Sequence, residues 1–385
     1  MALKRISDSI LYVGADDRTI DLFENQYPVS NGVTYNSYVI KDSKIAVMDT
    51  VDERATDQWF DNLEEAFEGK APDYLVVSHL EPDHSGNIER FLKKYPDTIV
   101  VANAKTFAML PQFIDIDVPE DKRFVAAEGT TLALGKHVLT FVMAPMVHWP
   151  EVMVEYESTE KVLFSADGFG TFGALGDRLK TSELENMPQS WADEARRYFI
   201  NIVGKYGVQV QNLLKKAATL EIKMICPLHG PVWRENLGWF IEKYDTWSSY
   251  KPEDQAVMIA YASIYGNTEN AAEILASKLA DKGVKNIAMY DVSVTDPSVI
   301  VSESFRCSHL VFAAPSYNGG IFTKMETVLS ELKAHSLQNR TVAIMENGTW
   351  APVAGRQMRE IFAGMKNIEL LEEGVTIRSA VKEAQ

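Results

Sequence analysis

Cysteine is the scarcest reactive residue of this chain. Only Cys226 and Cys307 occur among 385 residues, and neither belongs to a Cys-x-x-Cys pair. Iron–sulfur clusters and Cu(I) sites prefer thiolate ligands, so the composition disfavours both. Because stable disulfides belong to oxidising compartments, the same scarcity predicts a reducing, cytoplasmic location.

Positive charge and long apolar runs are also in short supply. The chain has 38 Lys and Arg against 54 Asp and Glu, a formal net charge of −16. Phosphate repels such an acidic surface, so no nucleic-acid partner is expected. The longest apolar runs are far shorter than a membrane span, and residues 1–5 lack the apolar core of a signal peptide. We therefore expect a soluble protein with no membrane partner.

Length and hydrophobic content indicate more than one full-sized core. The 385 residues are 46% hydrophobic, which is typical of globular chains with two or three domains. Residues 248–255 break the apolar pattern with a polar stretch that contains a proline. The sequence therefore predicts two domains, residues 1–250 and residues 251–385.

A six-residue run holds the most informative polar cluster of the chain. Residues 79–84 carry two imidazoles and two carboxylates, His79, Glu81, Asp83 and His84. They follow the apolar run 74–78, which predicts a buried strand, so the cluster should lie on a loop at the carboxyl end of that strand. Imidazole and carboxylate together suit iron, zinc or manganese. A solvated polar loop is the alternative interpretation.

Three further polar residues follow apolar runs beside Gly or Pro. His148 follows the run 139–145, Asp167 follows the run 162–166, and His229 follows the run 222–227. One short loop cannot surround two ions, so additional ligands are expected at other strand ends. Each of the three, taken alone, could instead be a turn or capping residue.

The order of these residues resembles the metallo-β-lactamase fold, whose metal motif is His-x-His-x-Asp-His followed by distant His, Asp and His. Glu81 stands where that motif has its second His. In this departure residues 1–250 resemble the flavodiiron proteins, in which the carboxylate turns a zinc hydrolase site into a non-haem di-iron site. The resemblance implies an α/β fold with an N-terminal αββα sandwich. Hard oxygen ligands also favour iron that alternates between ferrous and ferric states.

The resemblance also implies roles for individual side chains. Asp49 would be a carboxylate that holds a ligating His in its tautomer, or a strand-end cap. Tyr198 and Trp149 would line the pocket. The residue at the His84 position swings away from the metal in some family members. The implied catalytic metal ligands are His79, Glu81 and His148 for one iron, Asp83, His84 and His229 for the other, and Asp167 as the bridge.

The second half of the chain begins with an apolar strand, a short loop and a helix. The run 256–262 predicts the strand, and the helical pattern covers residues 270–281. The loop between them offers backbone N–H groups and the hydroxyls of Ser263 and Thr268 to a phosphate at the helix N-terminus. It lacks the Gly-Lys-Ser/Thr ending of a nucleotide P-loop and is not a dinucleotide fingerprint. An ordinary helix N-cap is the alternative.

Two later loops also follow predicted strands, 310–314 and 341–345. The three loops resemble those of flavodoxins, which bind flavin mononucleotide (FMN) outside the carboxyl ends of a doubly wound parallel sheet. Trp350 or Tyr317 would lie near the flavin ring. The resemblance assigns FMN contacts to Ser263, Ile264, Tyr265, Gly266, Asn267 and Thr268, to Pro315, Ser316, Tyr317, Asn318 and Gly319, and to Asn347, Gly348, Thr349 and Trp350.

The combined resemblance implies an oxidoreductase that passes electrons from FMN to two iron ions. The implied reaction is the reduction of dioxygen to water or of nitric oxide to nitrous oxide. Without Cys-x-x-Cys pairs the chain has no rubredoxin module, so an external donor such as rubredoxin or a rubredoxin reductase system is expected. The family arrangement is a head-to-tail homodimer or a dimer of dimers. Two alternatives are a zinc-dependent hydrolase with an accessory flavodoxin domain and a flavin electron carrier without di-iron catalysis.

Overall fold

The computed structural model describes residues 3–184 and 189–382. Contacts divide the chain into two units, Met1–Phe199 with Val208–Tyr244, and Ile200–Gly207 with Asp245–Gln385. The sequence did not predict that the segment Ile200–Gly207 groups with the C-terminal residues. The predicted boundary at residue 250 stays a prediction.

Two mixed sheets build the first unit. The first sheet has seven strands, in the spatial order Lys4–Arg5, Ile10–Tyr12, Tyr38–Lys41, Ile45–Met48, Tyr74–Val76, Ile99–Asn103 and Arg123–Ala126. The second has five, in the order Thr131–Ala133, Val138–Met143, Met153–Glu157, Val162–Phe164 and Met224–Cys226. Pairing is parallel from Ile45–Met48 to Arg123–Ala126 in the first sheet and between the last two strands of the second. Two small ribbons pair Ala15–Asp17 with Val33–Tyr35 and Leu22–Phe23 with Tyr27–Pro28.

The two sheets bury their inner faces against each other. Met48 and Val76 of the first sheet share one core with Phe141 and Phe164 of the second. Helices cover the outer faces, as the αββα prediction requires, because each helix has one apolar stripe to bury. In Thr56–Phe67 that stripe is Trp59, Leu63, Ala66 and Phe67, at spacings of four, three and one. The other α-helices up to residue 248 are Pro82–Ser85, Ile88–Lys94, Ala104–Met109, Gln189–Tyr198, Gly207–Ala217 and Leu237–Ser248.

A parallel sheet forms the second unit. Its spatial order is Ile287–Asp291, Asp254–Tyr261, Cys307–Tyr317, Arg340–Asn347, and then the short strands Ile368–Leu370 and Val375–Ile377, which both pair with Arg340–Asn347. Numbered along the chain this order is 2-1-3-4-5, the flavodoxin-like doubly wound order. The helices are Asn267–Asp281, Pro297–Arg306, Thr323–Ala334 and Ala354–Ala363. Within the described residues of the chain, no helix is both long enough and apolar enough to cross a membrane.

Element boundaries in the second unit differ from the predicted ones. The first helix begins at Asn267, three residues earlier than predicted, because Gly266 adopts a positive φ of 84° and turns the chain into the helix at that point. The strand Cys307–Tyr317 continues beyond Ala314 because Ser316 and Tyr317 pair with Gly320–Ile321. Several predicted loop residues therefore belong to regular elements.

Candidate metal centre

The seven predicted metal ligands come from the carboxyl ends of strands in both sheets of the first unit. In the first sheet, His79 and Glu81 follow the strand Tyr74–Val76, and Asp83 and His84 lie in the short helix Pro82–Ser85. The second sheet contributes residues that follow three strands, namely His148 after Val138–Met143, Asp167 after Val162–Phe164 and His229 after Met224–Cys226. The structure brings all seven side chains together.

His79, Glu81, His148 and Asp167 form the first group. His148 Nε2 lies 3.1 Å from Glu81 Oε2 and 3.0 Å from Asp167 Oδ2. His79 Nε2 lies 3.2 Å from Glu81 Oε2 and 3.3 Å from Asp167 Oδ2. Two imidazole nitrogens and two carboxylate oxygens thus face one common point.

The second group is Asp83, His84 and His229. His84 Nε2 and His229 Nε2 lie 3.0 Å apart, and Asp83 Oδ2 is 3.2 Å from His229 Nε2. The other oxygen of Asp167, Oδ1, faces this group at 3.2 Å from His84 Nε2 and 3.7 Å from His229 Nε2. One carboxylate therefore presents an oxygen to each group, as a bridging ligand would.

Unpartnered buried atoms test whether these residues fit metal ions. Among the described residues, Asp83 Oδ1 and Oδ2 and Asp167 Oδ1 have no hydrogen-bond partner although they are shielded from solvent. Such atoms are costly unless something else binds them. Ligand atoms about 2.1 Å from a shared ion and at right angles to one another are about 3.0 Å apart, close to the separations in both groups. The residues present therefore fit two metal ions.

The charges of the cluster also favour bound metal ions. Burial opposes a charged imidazole at His148, but hydrogen bonds to Asp167 and Glu81 raise its pKa to about 9. Burial likewise opposes ionisation of Asp167, whose pKa is nevertheless held well below its usual range by hydrogen bonds to His148 and His79. The carboxylates thus demand positive charge beside them, which metal cations can supply in place of protons.

A second set of contacts holds the histidines in place. His79 Nδ1 donates to Glu151 Oε1 at 2.8 Å, and His229 Nδ1 donates to the backbone oxygen of Thr34 at 2.6 Å. Glu151 was missed by sequence reasoning, although it follows His148 by only three residues. Asp49, predicted as a carboxylate that would orient a His, instead accepts a hydrogen bond from the backbone N–H of Ser78. The orienting role at His79 therefore belongs to Glu151.

Aromatic side chains enclose the two groups. The ring of Trp149 packs edge-on against His79 with centroids 5.1 Å apart, and the Tyr198 ring lies 5.6 Å from that of His229. The Tyr198 hydroxyl is buried and has no hydrogen-bond partner among the described residues. Phe23, which the sequence did not single out, packs against His229 at 5.2 Å. Its neighbour Glu24, also missed, lies beside Glu81.

The three predicted flavin loops lie at the carboxyl ends of adjacent parallel strands in the second unit. These strands are Asp254–Tyr261, Cys307–Tyr317 and Arg340–Asn347. At their ends the side chains of Tyr265 and Trp350 are 92% and 89% exposed. Both are aromatic surfaces on which a flat ring ligand can stack.

Several predicted flavin contacts already have structural partners. Ser316 Oγ accepts hydrogen bonds from the backbone N–H groups of Val353 and Ala354, and so caps the helix Ala354–Ala363. Asn347 Nδ2 donates to Thr268 Oγ1 at 3.3 Å, which ties the first and third loops together. The structure places the other predicted residues in three settings: Ser263, Ile264, Tyr265 and Gly266 in the loop before the helix, Asn318 and Gly319 in the turn after Tyr317, and Gly348, Thr349 and Trp350 after Asn347.

Known proteins resemble this chain over nearly its whole length. A family model described as "ODP family beta lactamase" matches residues 33–230. A nitric oxide reductase of Moorella thermoacetica is 30% identical, over 97% of this chain and 92% of that protein. The solved structure of rubredoxin oxygen:oxidoreductase from Desulfovibrio gigas is 27% identical, has a TM-score of 0.92, and is matched over 100% of this chain and 94% of that one. The flavodiiron protein of Giardia intestinalis, at 23% identity, shares the fold with a TM-score of 0.92, over 100% of this chain and 93% of that one.

These findings confirm the predicted resemblance and the predicted fold, a metallo-β-lactamase-like sandwich followed by a flavodoxin-like sheet. The chain belongs to the flavodiiron protein family.

Proposed function

We propose that this protein reduces dioxygen to water, nitric oxide to nitrous oxide, or both, at a non-haem di-iron centre with electrons passed through FMN. The observation that carries the proposal is Asp167, whose two oxygens face two separate histidine–carboxylate groups. The Moorella relative is named for nitric oxide reduction and the Desulfovibrio relative for oxygen reduction by rubredoxin. The chain is an oxidoreductase of flavodiiron type.

Seven side chains would hold the two irons. His79, Glu81 and His148 would bind one, Asp83, His84 and His229 the other, and Asp167 both. Iron and FMN, when bound, supply the redox chemistry that this chain's own side chains lack. The protein's contribution is to fix the ligands, which Glu151 and the Thr34 carbonyl do for two of the histidines.

The surroundings of the metal pair suit a small, uncharged gas. The rings of Trp149, Tyr198 and Phe23 lie against the ligating histidines and exclude water from that side. The Tyr198 hydroxyl can donate a hydrogen bond into this space because no described residue accepts one from it. It would orient a polar gas or a reduced product.

In the second unit, the loop 263–266 and the first turn of the helix Asn267–Asp281 would bind the phosphate of FMN. The helix N-terminus offers backbone N–H groups and a partial positive charge, and the N–H of Glu269 donates to Ser263 Oγ at 3.3 Å. Tyr265, Trp350 and Tyr317 are exposed at the same ends of the sheet and would stack on the flavin ring.

Electron supply and assembly belong to the same proposal. The Desulfovibrio relative is named for rubredoxin, which supports a rubredoxin or a rubredoxin reductase system as the electron donor. We propose a cytoplasmic, head-to-tail homodimer, or a dimer of such dimers, in which residues 251–385 of one subunit deliver electrons to residues 1–250 of the other.

The first experiment measures metal, flavin and gas consumption together. Protein produced with ample iron should contain about two irons and one FMN per chain, the numbers that the proposed sites imply. With reduced rubredoxin it should consume O2 or NO under otherwise anaerobic conditions. Two zinc ions per chain in active protein would favour a hydrolase. Undiminished gas consumption in an Asp167→Ala variant would show that the metal pair is not the site of reduction.

Mixed dimers test the assembly. A chain with His229→Ala lacks a metal ligand, and a chain with Trp350→Ala lacks a proposed flavin contact. Each variant alone should be impaired. When the two variants are unfolded, mixed and refolded together, part of the activity should return, because in a mixed dimer the intact flavin domain of one chain faces the intact metal domain of the other. No recovery in mixed dimers, when refolded wild-type chains are active, would contradict the head-to-tail arrangement.

A further inference from the structure

Glu155 is a buried carboxyl group behind the metal loop that the metal sites do not use. It lies on the strand Met153–Glu157 of the second sheet and is fully buried. Its Oε2 accepts a hydrogen bond from the Ser78 hydroxyl at 3.0 Å, and its Oε1 has no partner among the described residues. Ser78 directly precedes His79, so Glu155 touches the first residue of the loop that carries four of the proposed ligands.

A carboxyl group in this position is expensive for the fold. Burying an unpaired carboxylate costs far more than a neutral side chain of the same size, and even a neutral polar atom without a partner costs about 1–3 kcal/mol. Burial, with the Asp49 charge nearby, raises the pKa of Glu155 well above its ordinary value. Burial thus disfavours the charged form of Glu155, and a leucine of similar volume would pack there at lower cost.

The location explains what such a group can do. Four proposed ligands follow a strand of the first sheet: His79, Glu81, Asp83 and His84. The remaining three follow strands of the second sheet. Ser78 contacts both sheets. Its N–H donates to Asp49, which follows a strand of the first sheet, at 2.7 Å. Its carbonyl accepts from Met153 N of the second sheet at 3.2 Å, and its hydroxyl donates to Glu155. The separation of the two ligand sets is thus fixed partly through this one serine.

We propose that Glu155 is a positioning residue for the metal pair, which acts through Ser78 to hold the 79–84 loop at the spacing that two bridged ions require. The inference rests on the proposed di-iron site. It assigns no contact between Glu155 and a metal. Its essential property is an acceptor oxygen for the Ser78 hydroxyl, which a neutral amide also provides.

Three variants of the full-length protein separate this role from simple packing. Glu155→Leu keeps the volume and removes the hydrogen bond, Glu155→Gln keeps a neutral acceptor for Ser78, and Ser78→Ala removes the donor. Contacts that orient metal ligands commonly change metal affinity by about 10- to 100-fold. We expect a loss of this size in iron retention against a chelator for Glu155→Leu and Ser78→Ala, and wild-type retention for Glu155→Gln.

Two further readouts make the test specific. The EPR signal of the half-reduced iron pair should change in Glu155→Leu and match wild type in Glu155→Gln. In the double variant Glu155→Leu/Ser78→Ala the loss should not exceed the larger single loss, because both changes break one link. Leu139→Ala, a cavity in the core of the same sheet, serves as the control for general destabilisation.

The outcomes distinguish this inference from the proposed function. If wild-type protein holds no iron, the di-iron proposal itself fails. If wild type holds two irons and Glu155→Leu retains them equally well with an unchanged signal, only the positioning role is overturned. It is also overturned if Glu155→Gln behaves like Glu155→Leu, if the losses in the double variant add, or if Leu139→Ala loses iron to the same extent.

Discussion

Replacement of Glu151 should affect both the stability of the fold and the affinity for iron, and two different substitutions separate these effects. Its Oε1 accepts two hydrogen bonds, from His79 Nδ1 at 2.8 Å and from the backbone N–H of Leu80 at 2.9 Å, and its side chain is fully buried. Glu151→Ala leaves both donors without an acceptor. At about 1–3 kcal/mol for each buried donor, the free energy of unfolding should fall by about 2–6 kcal/mol.

The effect on metal binding adds to that loss. A carboxylate behind a ligating imidazole fixes its tautomer and raises its basicity, and its removal commonly lowers metal affinity by about 10- to 100-fold. Glu151→Gln retains an acceptor oxygen for both donors but not the charge. We therefore expect Glu151→Gln to be nearly as stable as wild type yet to lose iron at the lower end of that range, whereas Glu151→Ala should lose both stability and iron.

Glu157 provides the matched control. It is fully buried at the end of the strand Met153–Glu157, which Glu151 precedes, and it accepts two backbone hydrogen bonds, from Thr159 at 2.8 Å and from Glu160 at 2.7 Å. Glu157→Ala should cost similar stability without touching the metal groups. The assays are denaturant unfolding of the iron-free proteins and chelator competition on the loaded ones. Equal iron retention in Glu151→Ala and Glu157→Ala would refute the reasoning.

Three other substitutions probe the two sites separately. Glu81→Ala should weaken iron binding and abolish gas reduction while the visible spectrum of bound FMN stays intact, and bleaching of the flavin would contradict independent domains. In Gly230→Ala the new Cβ would lie only 2.0 Å from Thr171 Oγ1, at a backbone φ of 79° that disfavours alanine. The melting temperature and the iron content should both fall. Unchanged iron content would show that His229 tolerates the backbone displacement. Gly266→Ala meets no neighbouring atom but has a φ of 84°, which costs about 1–2 kcal/mol in the loop; flavin retention should drop with iron unaffected, and tight FMN binding would argue against this loop as the phosphate site.

The sequence singled out the proposed metal ligands because His79, His148, Asp167 and His229 follow apolar runs and Glu81, Asp83 and His84 cluster beside His79. The runs before His79, Asp167 and His229 are all strands in the structure, although each strand is two or three residues shorter than its run. Parallel neighbours in a sheet share their carboxyl ends, which brings Asp167 and His229 together. His79 meets them because the two sheets stack face to face. The clustering in residues 79–84 supplied the starting point.

The contacts behind the ligands could not be predicted in the same way. Glu151 and Glu155 follow no motif, and their partners Leu80 and Ser78 lie more than 70 residues earlier in the chain. Each contact exists only because the two sheets stack face to face. An alternating strand pattern predicts which residues point inward, but not which residue of the opposite sheet they meet.

The predicted boundaries of one helix and one strand in the second unit were wrong for local reasons. Asn267 and Thr268 have weak helix propensity and were assigned to the loop, yet the positive φ of Gly266 starts the helix before them. Pro315 predicted the end of a strand, because proline has no N–H for the ladder. The strand nevertheless continues to Tyr317, where the turn at Asn318 and Gly319 folds it back on itself.

The missed contacts and the wrong boundaries have one cause: they depend on hydrogen bonds that a group makes only in the folded chain. Asp83 and Asp167 show the opposite case, since both oxygens of Asp83 and Oδ1 of Asp167 have no hydrogen-bond partner among the described residues. Folding alone therefore leaves negative charge buried between the sheets, and binding of two cations removes that cost. It follows that metal and fold stabilise each other: the iron-loaded protein should resist denaturant better than the iron-free form, and the contacts that align the sheets, Glu151 with His79 and Glu155 with Ser78, should matter most when the metals are absent.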